Sequence, residues 1–256
     1  MKERILTGIG LISVFVYAVL FNSTFLNLLI YGIVVLSGYE IYDARKHDLK
    51  KYIVIFPVIL VALSGLVGYE YVTTIIGITI ITMFTIAVFD ESFSYDLVAY
   101  FITMTSLLIV ALSSVDKVLE FGNLVFLYVL IATYSTDTFA LFGGKFFGKH
   151  KLIERISPKK TVEGAIVGYI ASVILSISFG ILVIDSIPKT VIIVASLLMP
   201  IFSQIGDLAF SLVKRKFEIK DFGKIFPGHG GVLDRIDSLI FALITFITVS
   251  QIFMIF

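Results

Sequence analysis

Cysteine is absent from the 256 residues, which excludes disulfides and thiolate metal sites and leaves the redox compartment open. Charge is scarce. Asp, Glu, Lys and Arg make up 15% of the chain against 58% apolar residues, and mean hydropathy is +1.04. So little polar surface cannot cover a water-soluble globule, although the length alone would suit one or two soluble domains. Net charge is only +1, so overall charge selects no partner, and no nucleic acid is expected. No internal repeat or low-complexity tract stands out either.

What the chain does contain is long apolar runs. Segments 5–21, 25–41, 52–69, 71–89, 97–115, 121–142, 163–184, 188–210 and 236–256 each approach or exceed the length that crosses a bilayer as a helix. The fold class read from them is all-α, a polytopic transmembrane bundle of about nine helices. Several runs are rich in Ile, Val and Thr, which favour strands in water, but in lipid a helix satisfies its own backbone. The runs are also continuous, whereas a membrane barrel needs short alternating strands. Met1-Lys2-Glu3-Arg4 leads into an apolar run without an A-x-A-like cleavage site, so a retained first helix is expected rather than a signal peptide. Pro57 and Pro200 fall inside spans and are expected to kink them. Gly164-x-x-x-Gly168 is either a helix-packing face or ordinary glycine usage in a membrane helix.

Lys and Arg orient the bundle. If the N-terminus is cytoplasmic and all nine segments cross, 18 of the 20 cations fall on the cytoplasmic side and only Lys117 and Lys189 on the other. The loops 143–162 and 211–235 then share a face. Residues 1–130 read as N-terminal membrane helices with little further information. Residues 131–256 read as C-terminal helices and cytoplasmic loops that hold the chemistry.

Gly143-Gly144-Lys145-Phe146-Phe147-Gly148-Lys149-His150 nearly matches a Walker P-loop. His150 replaces the metal-binding hydroxyl, and a membrane helix precedes the motif where a sheet strand is required, so the match is rejected. Glycines beside lysines still allow close approach to phosphate oxygens. The continuation Ser157-Pro158-Lys159-Lys160-Thr161 enters a helix, where hydroxyls and cations lie near the positive end of the dipole. It would bind an anion, or simply touch lipid headgroups.

Asp207 lies within an apolar span, with Ser203, Gln204, Ser211 and Lys214 at helical spacings on one face. An intramembrane carboxylate is a functional candidate by default, against the alternative of a buried pair with a lysine. The densest stretch runs from Ser211 to Asp237, with glycines and a proline around His229 and the cations Lys214, Arg215, Lys220 and Arg235. The glycines Gly230 and Gly231 suit close approach of backbone to a ligand. Basic residues suit phosphate, which Asp234 and Asp237 would repel unless a hard divalent cation such as Mg²⁺ bridges them. These two aspartates, spaced i, i+3, can face one ion, and Arg235 can hold a phosphate in a bidentate fork.

This stretch resembles the signature of phosphatidate cytidylyltransferases, the CDP-diacylglycerol synthases. The pattern S-x-[hydrophobic]-K-R-x4-K-D-x-G-x2-[hydrophobic]-P-x-H-G-G-[hydrophobic]-x-D-R-[hydrophobic]-D is matched at every position from Ser211 to Asp237. Ser135-Thr136-Asp137, Gly143-Gly144-Lys145 and Ser157 to Thr161 also look like the family's, so the resemblance extends from about Ala132 to Ile240. It implies transfer of CMP from CTP to phosphatidic acid, giving CDP-diacylglycerol and pyrophosphate, with Mg²⁺ as cofactor. A monovalent cation beside it is left open.

The same resemblance implies metal ligation by Asp207, Asp234 and Asp237. Lys214, Arg215, Lys220, His229 and Arg235 would neutralise the phosphates. Asp137, Lys145, Ser157, Lys159, Lys160, Thr161, Ser211, Gly230 and Gly231 would contact substrate. The partners implied are CTP, phosphatidic acid, the bilayer and a second copy in a homodimer. The expected location is a prokaryotic inner membrane with the site facing the cytoplasm. A transporter or flippase for a phosphate-bearing anion is the alternative, but no inverted repeat is visible. A CDP-alcohol phosphotransferase would need a D-G-x2-A-R aspartate pattern that is missing from the chain.

Overall fold

The computed structural model describes residues 17–21, 23–45, 59, 61, 64, 69–223, 225 and 230–254. Residues 17–21 are helical, and α1 follows at Ser23–Asp43. A single 3-10 turn, Tyr69–Tyr71, leads into α2, Val72–Phe89. Next come α3, Tyr95–Glu120, and α4, Asn123–Phe147. Two short strands, β1 (Lys151–Ile153) and β2 (Ser157–Thr161), precede α5, Val162–Val183. The chain continues as α6, Lys189–Lys216, and α7, Leu233–Met254.

Among the described residues, seven helices are long and apolar enough to cross a membrane. They correspond one to one with the expected segments 25–41, 71–89, 97–115, 121–142, 163–184, 188–210 and 236–256. Segments 5–21 and 52–69 lie largely outside the described residues, as does Pro57. Pro200 is buried inside α6, which runs on through it. The helices keep broad apolar faces open, with Phe89 and Leu182 among the most exposed large residues. Such faces would be unstable in water and are at ease against lipid tails. The protein is an integral membrane protein of the all-α class.

The hairpin of β1 and β2 is the one sheet among the described residues, antiparallel with Lys151 opposite Thr161 and Ile153 opposite Ser157. The stretch 157–161, expected only to lead into a helix, is therefore extended. Ser157 precedes Pro158 and is biased away from helical angles, and a two-stranded ribbon tolerates the missing N–H.

The chain forms two compact units, Met1–Asp116 with Asp221–Asp234, and Lys117–Lys220 with Arg235–Phe256. In the first, the Tyr100 hydroxyl donates to the Ile41 carbonyl at 2.9 Å, tying α3 to α1. In the second, α4 and α5 meet along a small-residue seam. A Cβ on Gly164 would lie 2.6 Å from the Ala140 carbonyl oxygen, and one on Gly168 2.5 Å from that of Thr136. The Gly164-x-x-x-Gly168 motif is thus a packing face, as such motifs are in membrane helices. Ser172 adds a hydrogen bond to the Ala132 carbonyl at 2.6 Å. Tyr128 of α4 bonds the Ile192 carbonyl at 2.8 Å and the Ser196 hydroxyl at 2.7 Å, fixing α6.

Candidate active site

In the second unit, polar side chains converge where the hairpin meets the helices. Asp207, Ser211 and Lys214 recur at i, i+4 and i+7 along α6, so they share one face. The Lys160 ammonium, carried on β2, forms an ion pair with Asp207. Ser211 donates to the other Asp207 oxygen at 3.4 Å. On α7, Asp237 and Lys214 of α6 are both buried, at 6% and 8% exposure, and interact electrostatically. A buried charge is tolerated when an opposite charge or hydrogen bonds accompany it. Asp237 also accepts from the Ser238 N–H at 2.8 Å, and the Ser238 hydroxyl donates to Asp137 of α4 at 2.8 Å. Asp137, Asp207 and Asp237 act electrostatically on one another, with Lys160 and Lys214 opposing their charge.

The hairpin is held to the same end of α6. Arg215 donates through Nε to the Ile156 carbonyl at 3.3 Å. Thr161 caps α5, its hydroxyl oxygen accepting from the Gly164 N–H at 3.1 Å. Glu163 in the first turn of α5 accepts from the Lys149 N–H at 3.0 Å and from His150 Nδ1 at 2.6 Å. Lys145 and Lys159 are exposed, and Ser157 is half-buried. Gly143, Gly144 and Lys145 lie within α4, so their amides belong to the helix rather than to a phosphate-binding loop.

After α6 the backbone turns at Glu218, whose φ of 56° is left-handed. The Ile219 N–H returns to the Lys214 carbonyl at 2.9 Å and the Glu218 N–H to that of Arg215 at 3.2 Å, a Schellman closure with glutamate in the usual glycine position. Lys220 follows it and is exposed.

In the first unit, Asp234 holds the loop that precedes α7. Its Oδ2 accepts from the Phe222 N–H at 2.9 Å and from the Gly231 N–H at 3.1 Å. Gly230, with φ of 85°, makes the turn before it. His229 lies outside the described residues. In the second unit, Arg235 is exposed, and its carbonyl accepts from the Tyr134 hydroxyl at 3.3 Å.

Among the described residues no three carboxylates or histidines converge into a ready-made metal cage. Mg²⁺ seldom uses one, being held by one or two carboxylates together with substrate phosphates and water. Asp137, Asp207 and Asp237 act on one another electrostatically, and their oxygens are of the hard donor type that such an ion takes one or two at a time.

The structure groups Asp137, Lys160, Asp207, Ser211, Lys214 and Asp237, and it describes Gly230 and Gly231 in the loop before α7 beside Asp234 in its first turn. Sequence reasoning missed three participants. Ser238 lies one residue beyond the signature, Tyr134 one before the Ser135 motif, and Glu40 sits in an apolar run of its own.

These features define a polytopic membrane protein that gathers cations and carboxylates from three helices and a hairpin, as transfer chemistry between phosphate groups requires. The model of the Cytidylyltransferase family matches residues 2–253, and the chain belongs to that family. It is 31% identical over 269 residues to the phosphatidate cytidylyltransferase of Bacillus subtilis (strain 168), covering 95% of each chain. It is 44% identical over 117 residues to the enzyme of the same name from Staphylococcus saprophyticus, covering 46% of this chain and 45% of the relative. The Staphylococcus aureus (strain COL) enzyme of that name matches to the same extent.

Proposed function

We infer that this membrane nucleotidyltransferase is a phosphatidate cytidylyltransferase, which joins CTP and phosphatidic acid to give CDP-diacylglycerol and pyrophosphate. The observation that carries the reading is the group of three carboxylates and two lysines in the second unit, in a chain of the Cytidylyltransferase family. A phosphatidate oxygen forms a bond to the α-phosphorus of CTP. The bond from that phosphorus to the bridging oxygen breaks, and pyrophosphate leaves with the electron pair. The attacking oxygen is already ionised near neutral pH, so no strong base is required.

Both substrates are anions, and the main barrier is their mutual repulsion as charge redistributes. Lys160, Lys214, Arg215, Lys220, His229 and Arg235 would neutralise the phosphates, with Lys160 aimed by its pairing to Asp207. Asp207, Asp234 and Asp237 would hold magnesium, with Asp137 beside them. Magnesium bound there would shield the triphosphate and the departing pyrophosphate. Lys145, Ser157, Lys159 and Thr161 would complete a basic rim for a headgroup or nucleotide. A second, monovalent cation is not part of the proposal.

The proposal sets the site at the cytoplasmic face of the cell membrane, supported by the placement of 18 of 20 Lys and Arg residues on one side of a nine-crossing topology. It includes a homodimer on the resemblance alone. Detergent-solubilised protein given labelled CTP and phosphatidic acid tests the activity. Label should move into the organic phase only when both substrates are present, and its failure to move would refute the reading.

A further inference from the structure

Glu40 lies in the last turn of α1 and is only 1% exposed. A carboxylate in a membrane helix is costly unless it has a partner. Its partners are backbone amides of the first unit. The Val232 N–H donates to one oxygen at 2.9 Å and the Leu233 N–H to the other at 2.8 Å. Both amides stand at the start of α7, where helix N–H groups have no partner within the helix and the dipole favours an anion. Glu40 thus caps a helix nearly two hundred residues away in sequence.

The same carboxylate fills the space beside two signature glycines. A Cβ on Gly231 would lie 2.5 Å from each Glu40 oxygen, and one on Gly223 2.5 Å from the carboxyl carbon. A side chain at either glycine would therefore collide with a carboxylate of the chain itself. Gly231 is also the residue whose N–H bonds Asp234. One short segment therefore lies between two carboxylates, Asp234 within the signature and Glu40 far outside it.

We propose that Glu40 is a positioning residue for cytidylyl transfer: its carboxylate fixes segment 230–234 and, through it, the side chain of Asp234. The proposal rests on the reading given above, in which Asp234 works in that reaction. Glutamine at position 40 keeps the shape but presents an N–H₂ to one of two backbone donors. Alanine removes the cap and opens the space next to Gly231.

Full-length Glu40→Gln, Glu40→Ala, Gly231→Ala and Glu40→Ala/Gly231→Ala proteins in detergent separate positioning from mere stability. Glu40→Gln should lower kcat by about tenfold or more while each KM stays within about threefold, since a displaced group costs most in the transition state. Amide exchange in segment 230–234 should rise by about tenfold or more, with α4–α6 protected as before. Gly231→Ala should impair the unaltered chain as Glu40→Gln does, yet add less than about twofold on top of Glu40→Ala, because the clashing carboxylate is gone.

An unchanged kcat in Glu40→Gln, unchanged exchange at 230–234, or a Gly231→Ala effect equal in both backgrounds would overturn the proposal. If Glu40→Ala fails to fold, the near-isosteric Glu40→Gln still decides through exchange and kcat. If the unaltered chain makes no CDP-diacylglycerol, the functional reading falls by itself, and exchange alone then decides whether Glu40 fastens the segment.

Discussion

Lys160 and Asp207 form an ion pair that joins the hairpin to the middle of the polar face of α6. Both side chains keep partial access, 29% and 27%, so the pair is not sealed in the core. An ammonium held this way is aimed rather than merely present, and in the proposed reaction an arriving phosphate would share it. Lys160→Met and Asp207→Asn should each lower kcat/KM by about a hundredfold, in the range of losses seen when one electrostatic contact in a transition state is removed. The double variant should be little worse than either single, because residues that act as a unit are not additive. Steady-state kinetics on the four proteins would reveal this, and additive losses would separate the two roles.

Metal dependence gives a second prediction. Chelation should abolish turnover, and added Mg²⁺ should restore it. Asp207→Asn or Asp237→Asn should raise the Mg²⁺ concentration for half-maximal rate by about tenfold or more, since the ion relies on few protein oxygens. A Mg²⁺ titration of initial rates reads the shift.

Tyr128 offers a contrast between stability and chemistry. Its buried hydroxyl ties α4 to α6 through Ile192 and Ser196. Tyr128→Phe should lower stability by about 1 kcal/mol, the net worth of such a bond, and leave the rate per folded molecule unchanged. Unfolding in detergent together with active-fraction kinetics would measure both.

The α4–α5 seam should be less forgiving. A methyl group on Gly168 meets the Thr136 carbonyl and the Ala140 side chain, the latter at 2.8 Å. Gly168→Ala should cost about 1–3 kcal/mol through forced separation of the helices, visible as a lower thermal midpoint.

The seven described spans were legible because lipid leaves the backbone one easy solution, so apolar length outweighs the strand preference of Ile, Val and Thr. The hairpin was not. Lys151 to Thr161 is short, charged and without alternation, and only the extended bias before Pro158 pointed to it. The cluster around Asp207 was half legible. Helical spacing aligned Ser211 and Lys214 with it, but the Lys160 pairing depends on a strand that periodicity does not reveal. Glu40 was open to the same rule that singles out Asp207, an ionisable group in an apolar run. It lies so close to the basic stretch at 42–51 that it reads as a helix end. The signature glycines were visible as a pattern, but what a side chain there would meet was not, because the carboxylate beside Gly223 and Gly231 comes from the other end of the chain.

Position-specific labelling of the nucleotide tests the central claim most directly. Purified protein is given phosphatidic acid and Mg²⁺ with CTP labelled at either the α- or the γ-phosphate, and lipid and aqueous products are separated. Attack at the α-phosphorus predicts α-label in the lipid, γ-label in pyrophosphate, and one pyrophosphate released for each CDP-diacylglycerol formed. Label from the γ-phosphate in the lipid, or nucleotide turnover with no labelled lipid at all, would contradict it.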